Sequence, residues 1–439
     1  MSQRIDFIVS PGGRLQGQAR VPGDKSISHR AIMLGAIAEG STRIQGFLEA
    51  EDALATLAAF RRMGVRIDGP DRGRVTVHGV GMDGLQAPDG PLYLGNSGTS
   101  MRLLCGLLAG QPFDSVLTGD ESLSRRPMRR VTEPLERMGA KIDTTPDGTA
   151  PLHIHGGRRL HGIHYDMPVA SAQVKSALLL AGLYAEGETC VAEPAPTRDH
   201  TERMLQGMGY EVRRAGNHIC LRGGGRLTAA DLDVPADISS AAFFLVGASI
   251  APGSELVLEH VGINPTRTGV IDILRLMGAK IEVYNPRMVG GEPVADLRVV
   301  SRPLKGVHIP EKLVPLAIDE FPVLFVAAAC AEGETVLTGA AELRVKESDR
   351  IQSMADGLRI LGIDARPTPD GMIVRGGRIG SGRVLSHGDH RIAMAFSIAA
   401  LRAEGPIEIE DCANVNTSFP GFADLAARLG LGIEVISHD

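Results

Sequence analysis

One pattern recurs six times along the chain and constrains the fold more than any other feature of the sequence. Each copy has a polar start containing Ser or Asp, then a helix of small apolar residues, then a glycine turn into a strand. The copies begin near Lys25 and Ser26, Ser97, Ser171, Asp237, Asp319 and Asp389. Self-similarity of this kind indicates a supersecondary unit that is repeated. We therefore predict an α/β fold built from six similar units.

Glycines mark the ends of the helices in these units. In five copies a glycine follows the apolar helix, and a positive φ is expected there because helices often end in that conformation. These five are Gly40, Gly187, Gly253, Gly333 and Gly405. A second, amphipathic helix in each unit ends on a Met-Gly or Leu-Gly pair. Its glycines are Gly64, Gly139, Gly209, Gly278, Gly362 and Gly430.

The apolar helices indicate two domains. The segments 177–183 and 323–330 are apolar on all sides, which is typical of helices inside a domain. One core for six units would be too large, so we predict two domains of three units each. The Pro-containing segments 21–24 and 234–237 are candidate linkers. If both are crossings, the N-terminal domain spans 23–236, and 1–22 pairs with 237–439; a single crossing near 236 is the alternative.

Composition excludes several classes of function. The net charge is −6, aromatic residues make up 4% and Trp is absent, which argues against a nucleic-acid or anionic-membrane surface. The sequence has no apolar signal core and no run of 18 apolar residues, so we predict a soluble, cytoplasmic protein. Most of the five cysteines are expected to be small core residues, and their odd number without close spacing indicates a reducing compartment. No Walker, HExxH or paired CxxC motif is present, and we predict no metal site.

Cations stand at several of the repeat starts. The helix dipole disfavours a cation at a helix N-terminus, where backbone N–H groups attract anions. The cations occur in the segments 24–30, 124–127, 171–175, 197–202, 264–267, 344–350 and 389–391. Helix capping or surface decoration would explain any one of them. Their repetition in both halves predicts a site for ligands with several negative charges.

Two carboxylates accompany these cations. Asp319 begins the most apolar helix, and Glu347 lies between Lys346 and Arg350. Because Lys346 and Arg350 are four residues apart, we expect them to share a helix face. A helix cap at Asp319 and a solvated pair at Glu347 are the alternatives. Carboxylates beside cations are also what acid–base catalysis on anionic substrates requires.

Six segments carry a resemblance to a known family. In chain order they are PGDKSISHRA, LGNSGTSMRL, RRPM, ASAQVKSA, LRVKESDRI and GDHRIAMA. With their neighbours they cover the chain from Val21 to Phe422. The sequence resembles the 5-enolpyruvylshikimate-3-phosphate synthases, and the segments 23–26, 171–175, 198–202 and 264–267 are similar to the second of their two bacterial classes.

The resemblance implies a two-domain enolpyruvyl transferase fold, in which each domain is an inside-out α/β barrel of three βαβαββ units and the substrates bind in the cleft. It implies binding of shikimate 3-phosphate by Lys25, Ser26, Arg30, Ser171, Ala172, Gln173, Arg198, Asp319 and Lys346. It implies binding of phosphoenolpyruvate by Lys25, Gly98, Arg126, Gln173, Glu347, Arg350 and Arg391. Neither a metal nor an organic cofactor is implied, and the family suggests a monomer without nucleic-acid or membrane partners.

The implied reaction transfers the enolpyruvyl group of phosphoenolpyruvate to the 5-hydroxyl of shikimate 3-phosphate through a tetrahedral ketal. The candidate acid is Glu347, the candidate base is Asp319, and Lys25 serves the leaving phosphate. The resemblance also implies that the inhibitor glyphosate binds here, because in the family it occupies the phosphoenolpyruvate site. In the family an Ala in the Asn-x-Gly-Thr turn crowds glyphosate, and here that position is Gly98, which predicts sensitivity. The resemblance to the second class argues the other way, because some members of that class are tolerant, but we give the local sterics more weight.

Two other functions are weighed against this one. UDP-N-acetylglucosamine enolpyruvyl transferases share the fold, but their mobile loop carries a reactive Cys that the segment 119–128 lacks. A non-catalytic anion-binding protein is the second, and it would not need Asp319 and Glu347 at a cationic site.

Overall fold

A computed structural model of the chain describes residues 4–438, and these form two units. The N-terminal unit consists of Gly23–Val234 and Met288–Glu292. The C-terminal unit consists of the chain up to Pro22, Pro235–Arg287, and the chain from Pro293 onward.

The strands are short. They are β1 (Arg4–Val9), β2 (Gln16–Ala19), β3 (Glu39–Gln45), β4 (Arg66–Asp71), β5 (Arg74–Val80), β6 (Leu92–Tyr93), β7 (Ser115–Thr118), β8 (Lys141–Asp143), β9 (Leu152–His155), β10 (His164–Asp166), β11 (Glu188–Ala192), β12 (Arg213–Ala215), β13 (His218–Arg222), β14 (Leu232–Asp233), β15 (Glu255–Gly262), β16 (Lys280–Val289), β17 (Glu292–Val300), β18 (Glu334–Leu337), β19 (Asp364–Thr368), β20 (Gly371–Arg375), β21 (Gly382–Leu385), β22 (Ile407–Glu410) and β23 (Ile433–His438).

The helices alternate with these strands. They are α1 (Lys25–Ile37), α2 (Glu51–Arg62), α3 (Gly98–Ala109), α4 (Glu121–Ser124), α5 (Arg129–Arg137), α6 (Ala172–Gly182), α7 (His200–Gly207), α8 (Ile238–Ile250), α9 (Gly269–Leu276), α10 (Val314–Ala317), α11 (Phe321–Ala329), α12 (Arg350–Ile360), α13 (His390–Ala399) and α14 (Phe422–Leu429). Short 3-10 helices occupy Glu311–Leu313, Ala341–Val345, Ala400–Arg402 and Ala413–Thr417.

Six small sheets reflect the six repeats of the sequence. In the N-terminal unit the strand orders are β14-β3-β5-β4, β6-β7-β9-β8 and β10-β11-β13-β12. In the C-terminal unit they are β16-β17-β15-β2, β18-β20-β19 and β21-β22-β1-β23. Each four-stranded sheet contains one parallel pair. In the three-stranded sheet, two isolated parallel bridges to residues 332 and 336 lie at the corresponding edge.

The first two strands belong to sheets of the C-terminal unit. Strand β1 lies between β22 and β23, with Phe7 opposite Ile409 on one side and Val435 on the other. Strand β2 runs parallel to β15. The segment before Pro22 therefore completes two sheets whose other strands all follow Pro235.

The apolar helices lie inside the units, as the sequence predicts. In α6 every residue from Val174 to Gly182 is buried, and α11 is buried along its whole length. Each unit has its own continuous hydrophobic core. Because such helices have no polar face, only their ends can present polar groups, and the N-terminal ends present the N–H groups that suit an anion.

The helix starts are largely as predicted. Side chains of Asp24, Ser97, Ser171, Asp237 and Asp389 each accept a backbone N–H at the start of a helix. The sixth start is different, because α11 begins only at Phe321 and Glu320 occupies the cap position. The expectation that Asp319 begins this helix is therefore wrong, and its carboxylate has another role.

The turn glycines are predicted correctly in four of five cases. Gly40, Gly187, Gly253 and Gly333 have positive φ angles, between 78° and 100°. Gly405 does not, because a 3-10 helix at Ala400–Arg402 ends the preceding helix instead. All six glycines of the Met-Gly and Leu-Gly pairs have positive φ.

The cysteines correct a second expectation. Cys190 and Cys220 are joined by a disulfide, whereas the odd number and wide spacing of the cysteines indicated a reducing compartment. They face each other because β11 and β13 pair antiparallel with these two residues in register. Cys105 and Cys412 are buried thiols, and burial raises the pKa of Cys105 to about 12. Among the described helices, none is both long and apolar enough to cross a membrane.

One close approach between helices gives a test of the packing. Gly106 in α3 faces Ala177 in α6, and a Cβ at Gly106 would lie 2.1 Å from the Ala177 carbonyl oxygen. We predict that Gly106→Ala lowers the urea midpoint of unfolding, because overpacking costs about 1–3 kcal/mol. The cost outweighs the higher helix propensity of Ala, which is worth about 1 kcal/mol.

Gly207→Ala is the matched control, since Gly207 lies in α7 and a Cβ there meets no atom within 4 Å. Circular dichroism should place its midpoint at or above that of the wild type. Equal midpoints for the two variants would contradict the close packing of α3 on α6.

Candidate active site

The start of α1 holds a lysine against a carboxylate. Lys25 is the first residue of the helix, and Asp24 caps it by accepting the Ile27 N–H at 2.9 Å. The Lys25 ammonium lies 2.9 Å from the Asp52 carboxylate, which α2 presents with a side chain only 6% exposed. The Lys25 side chain is 18% exposed, so a ligand can reach its ammonium group while Asp52 fixes the position of that group.

One turn further along α1, Arg30 is buried and holds polar groups in place. Its guanidinium donates to the Ser26 carbonyl at 2.9 Å, to the Thr201 hydroxyl at 2.7 Å and to the Ser176 hydroxyl at 2.9 Å. Arg198 lies 3.4 Å from the Ser26 hydroxyl. The structure thus brings Ser26 and Arg198 together, as the predicted site requires. Arg30 holds the backbone of Ser26 through a hydrogen bond to its carbonyl.

The turn at the start of α3 is flanked by two guanidinium groups. A Cβ at Gly98 would lie 3.0 Å from Nη1 of Arg126 and 3.1 Å from Nη1 of Arg102. Gln173 connects this turn to α6, because it donates to the Thr99 hydroxyl at 3.0 Å and accepts from Arg102. The resemblance implies that Gly98, Arg126 and Gln173 all bind phosphoenolpyruvate. In the structure these three residues lie close together.

Arg126 is held in place by an amide. Its Nη2 donates to the Asn96 side-chain oxygen at 2.6 Å, and Asn96 donates in turn to Asp120 at 2.7 Å. The arginine is only 6% exposed. The chain of contacts orients the guanidinium through the neutral Asn96 amide.

The start of α6 contributes less charge than the sequence suggested. Ser171 caps the helix by accepting the Val174 N–H at 3.3 Å, and Ala172 is its first residue. Lys175 is fully buried and pairs with Glu193 at 3.0 Å and Glu202 at 2.7 Å. Its ammonium supports the interior of the N-terminal unit and is not available to a ligand.

In the C-terminal unit one buried arginine gathers three carboxylates. The Arg350 side chain is 1% exposed. Its guanidinium donates to Glu347 at 2.6 Å, to Asp389 at 2.8 Å and to Asp319 at 3.3 Å. Burial by itself lowers the pKa of Arg350, but Asp389, Glu347 and Asp319 together hold it above its ordinary value. The arginine is permanently charged, and it fixes both candidate catalytic carboxylates.

Two further cations adjoin this cluster. The Lys346 ammonium lies 3.3 Å from Asp319, and Arg391 donates to the Asp319 backbone carbonyl at 3.1 Å. Glu320 lies 3.9 Å from Arg391. Asp319 thus contacts Lys346 and Arg350 through its side chain and Arg391 through its backbone.

Lys346 and Arg350 are brought together by a different local structure from the predicted one. Lys346 and Glu347 follow a 3-10 helix and precede α12, which begins at Arg350 with Asp349 as its cap. The expectation that Lys346 and Arg350 share a helix face is therefore wrong. They meet because both reach Asp319. Glu347 is mostly buried, with a side chain 17% exposed, so it is not a solvated surface pair.

Comparisons with known proteins identify the family of this chain. The family model for EPSP synthase (3-phosphoshikimate 1-carboxyvinyltransferase) matches residues 9–425. The chain belongs to the EPSP synthase family. It is 74% identical to the 3-phosphoshikimate 1-carboxyvinyltransferase of Alkalilimnicola ehrlichii, over 98% of this chain and 96% of that protein. It is 72% identical to the corresponding enzyme of Methylococcus capsulatus, over 98% and 99% of the two chains.

A solved EPSP synthase from Acinetobacter baumannii shares the fold. It superposes with a TM-score of 0.88 at 62% identity, over 99% of this chain and 100% of that one. The family, the enzyme class and the two-domain enolpyruvyl transferase fold predicted from the sequence are confirmed.

Sequence reasoning missed several members of this candidate site. They are Asp52, which holds Lys25; Arg102, which holds Gln173; and Asp389, which holds Arg350. Arg102 could have been found, because it lies four residues after Gly98 on the same helix. Nothing in the sequence near Lys25 or Arg350 indicates which distant carboxylate each one meets.

Proposed function

We propose that this chain transfers the enolpyruvyl group of phosphoenolpyruvate to the 5-hydroxyl of shikimate 3-phosphate and releases phosphate, as a step of aromatic amino acid biosynthesis. The observation that carries the proposal is the pair of carboxylates, Asp319 and Glu347, held on the buried guanidinium of Arg350. Carboxylates in this setting can exchange protons with substrates that cations bind. Both units contribute residues to the reaction.

Shikimate 3-phosphate is assigned to the residues around Ser26. Arg198 and Lys25 are cations at this position, and the Ser26 and Ser171 hydroxyls are suited to a phosphate or a sugar hydroxyl. Arg30, whose donors already serve Ser26 and its neighbours, supports the site. The remaining assignments are Ala172 and Gln173 in the N-terminal unit, and Asp319 and Lys346 in the C-terminal unit.

Phosphoenolpyruvate is assigned to the cations that surround the Gly98 turn and the Arg350 cluster. Arg126 lies against Gly98, and Gln173 is bonded to the same turn. A guanidinium binds carboxylate or phosphate oxygens through two parallel N–H groups, which suits both ends of this substrate. Arg350 and Arg391 supply the same group in the C-terminal unit, and Lys25 serves both substrates.

The proton transfers follow from these positions. Glu347 donates a proton to the methylene carbon of phosphoenolpyruvate, which makes the adjacent carbon electrophilic. The 5-hydroxyl attacks that carbon while Asp319 accepts its proton, and a tetrahedral ketal phosphate results. Glu347, now a carboxylate, then takes a proton back from the new methyl group, the double bond forms again, and the C–O bond to phosphate breaks. Lys25 stabilises the phosphate as it leaves.

The proposal also covers the substrates, localisation, oligomeric state and bacterial class of the enzyme. Shikimate 3-phosphate and phosphoenolpyruvate are its small-molecule partners, and we propose a cytoplasmic monomer. The assignment to the second bacterial class rests on the segments 23–26, 171–175, 198–202 and 264–267 of the sequence. A UDP-sugar as acceptor is the alternative, and an assay of phosphate release with each acceptor distinguishes the two.

The carboxylates give the sharpest test of the proposed chemistry. We predict that Glu347→Gln lowers kcat by about two to four orders of magnitude, the usual contribution of a general acid or base, while substrate binding persists. Asp319→Asn should lose a similar factor and also bind shikimate 3-phosphate more weakly, because it also accepts a substrate hydroxyl. Phosphate release under saturating substrates measures kcat.

Glu404→Gln is the control, because the side chain of Glu404 is 61% exposed and forms an ion pair with the exposed Arg378. Its kcat should equal that of the wild type. Near-normal turnover in Glu347→Gln or Asp319→Asn would show that the affected carboxylate only balances charge around Arg350.

Glyphosate tests the assignment of the Gly98 turn. We predict that the wild type is inhibited competitively with phosphoenolpyruvate, and that Gly98→Ala raises the inhibition constant more than the KM for phosphoenolpyruvate. The new methyl would press on Arg126 and Arg102, at 3.0 and 3.1 Å, and narrow the space for the longer inhibitor. Overlap with one methyl corresponds to about 5- to 150-fold in affinity.

Steady-state inhibition of both forms measures this effect, and Gly207→Ala serves as a control outside the turn. If the wild type is indifferent to millimolar glyphosate, residue 98 does not set the tolerance.

A further inference from the structure

A buried histidine lies directly behind the proposed substrate turn. His29 is on α1, one turn after Lys25, and no part of it is exposed. It faces α2 and the start of α3, where it contacts hydroxyls of Thr56, Ser97 and Ser100. All three hydroxyl residues are at most 1% exposed.

The four side chains form a closed ring of hydrogen bonds. Nδ1 of His29 is 2.8 Å from the Thr56 hydroxyl, which is 2.6 Å from the Ser100 hydroxyl. Ser100 donates to the Ser97 hydroxyl at 2.8 Å. The Ser97 hydroxyl is 3.4 Å from Nε2 of the same imidazole, which closes the ring.

Counting protons gives the ring a single direction. Ser97 accepts from the Ser100 hydroxyl and also from the Ser100 backbone N–H at 3.1 Å. Its own proton therefore goes to Nε2 of His29, so Nε2 is the acceptor. A neutral imidazole that accepts at Nε2 carries its proton on Nδ1 and donates it to Thr56. Thr56 then donates to Ser100, and each member of the ring donates once.

The ring requires a neutral imidazole, and the surroundings provide for one. Burial lowers the pKa of His29 well below its ordinary value, and the charges of Lys25 and Arg30 lower it further. A second proton on the ring would remove the only acceptor for the Ser97 hydroxyl within this circuit. The four groups are thus mutually satisfied only in one protonation state.

We propose that His29 is a positioning residue for phosphoenolpyruvate, because this ring fixes the Ser97–Ser100 turn, and with it Gly98, relative to the helix that carries Lys25. This inference rests on the proposed function, which places phosphoenolpyruvate against Gly98 and Lys25. Helix α2 takes part twice, since Asp52 holds Lys25 and Thr56, four residues later, holds His29. In this proposal no member of the ring contacts substrate. The ring instead sets the distance between the Gly98 turn and the helix that carries Lys25, and both of these contact phosphoenolpyruvate.

Thr56→Val tests the ring, because it removes one hydroxyl and keeps the shape of the side chain. We expect the KM for phosphoenolpyruvate to rise roughly tenfold, the effect of losing one buried hydrogen-bonded group. The KM for shikimate 3-phosphate and kcat should each stay within about twofold to threefold, because Ser26 and Glu347 lie outside the ring. Thr56→Ser restores the hydroxyl, and its KM for phosphoenolpyruvate should return to the wild-type value.

A uniform loss of activity in Thr56→Val, or an equal rise of KM for both substrates, would overturn the positioning role. So would a Thr56→Ser enzyme that behaves like Thr56→Val. These outcomes separate a specific effect on one substrate from a general loss of stability.

A second measurement reads the protonation state of the imidazole directly. Nitrogen-15 spectra of the histidine side chains should show the His29 imidazole neutral, with its proton on Nδ1, when Thr56→Ser is used to assign its signal by perturbation. A proton on Nε2, or a charged imidazolium, would overturn the ring. If the wild type forms no enolpyruvyl product, the proposed function fails, whereas the spectrum still decides whether the ring exists.

Discussion

The C-terminal unit depends on the burial of one guanidinium among three carboxylates. Arg350 is 1% exposed, and it bonds to side chains from three separate segments, which place Asp319, Glu347 and Asp389 around it. Taking a charge out of water is costly unless close partners compensate for it, and removing one partner of a buried pair costs about 3–5 kcal/mol. The three segments are therefore held in one arrangement. Two of the three carboxylates are the ones that the proposed reaction needs.

The N-terminal unit positions its charges differently. Lys25 has one carboxylate beside it, Arg126 is oriented by the neutral amide of Asn96, and His29 is held by hydroxyls. The Asn96 amide orients the Arg126 guanidinium through a hydrogen bond in which only one partner is charged. In the C-terminal unit, Lys346 and Arg350 are instead held by ion pairs with carboxylates. The proposed proton donor and acceptor, Glu347 and Asp319, belong to this second set of contacts.

Sequence alone predicts what depends on neighbouring residues. Ser97 was expected to start a helix, and it does, because a hydroxyl at that position satisfies N–H groups three residues away. The family resemblance supplied most of the site residues. What sequence could not give are contacts that only the folded chain creates. Asp52 meets Lys25 from 27 residues away, and Cys190 meets Cys220 only because their strands pair in that register. Local patterns carry no information about either partner.

The central claim is that Arg350 positions Glu347 for proton transfer. The most direct measurement is a double-mutant cycle in kcat with the wild type, Glu347→Gln, Arg350→Lys and the double variant. If Arg350 acts by holding Glu347, losing the carboxylate matters less once the guanidinium fork is gone. We predict that the double variant turns over at least roughly tenfold faster than the product of the two single effects implies, a coupling of about 1.4 kcal/mol or more. Effects that simply multiply would show that the two residues act independently, and would contradict the account.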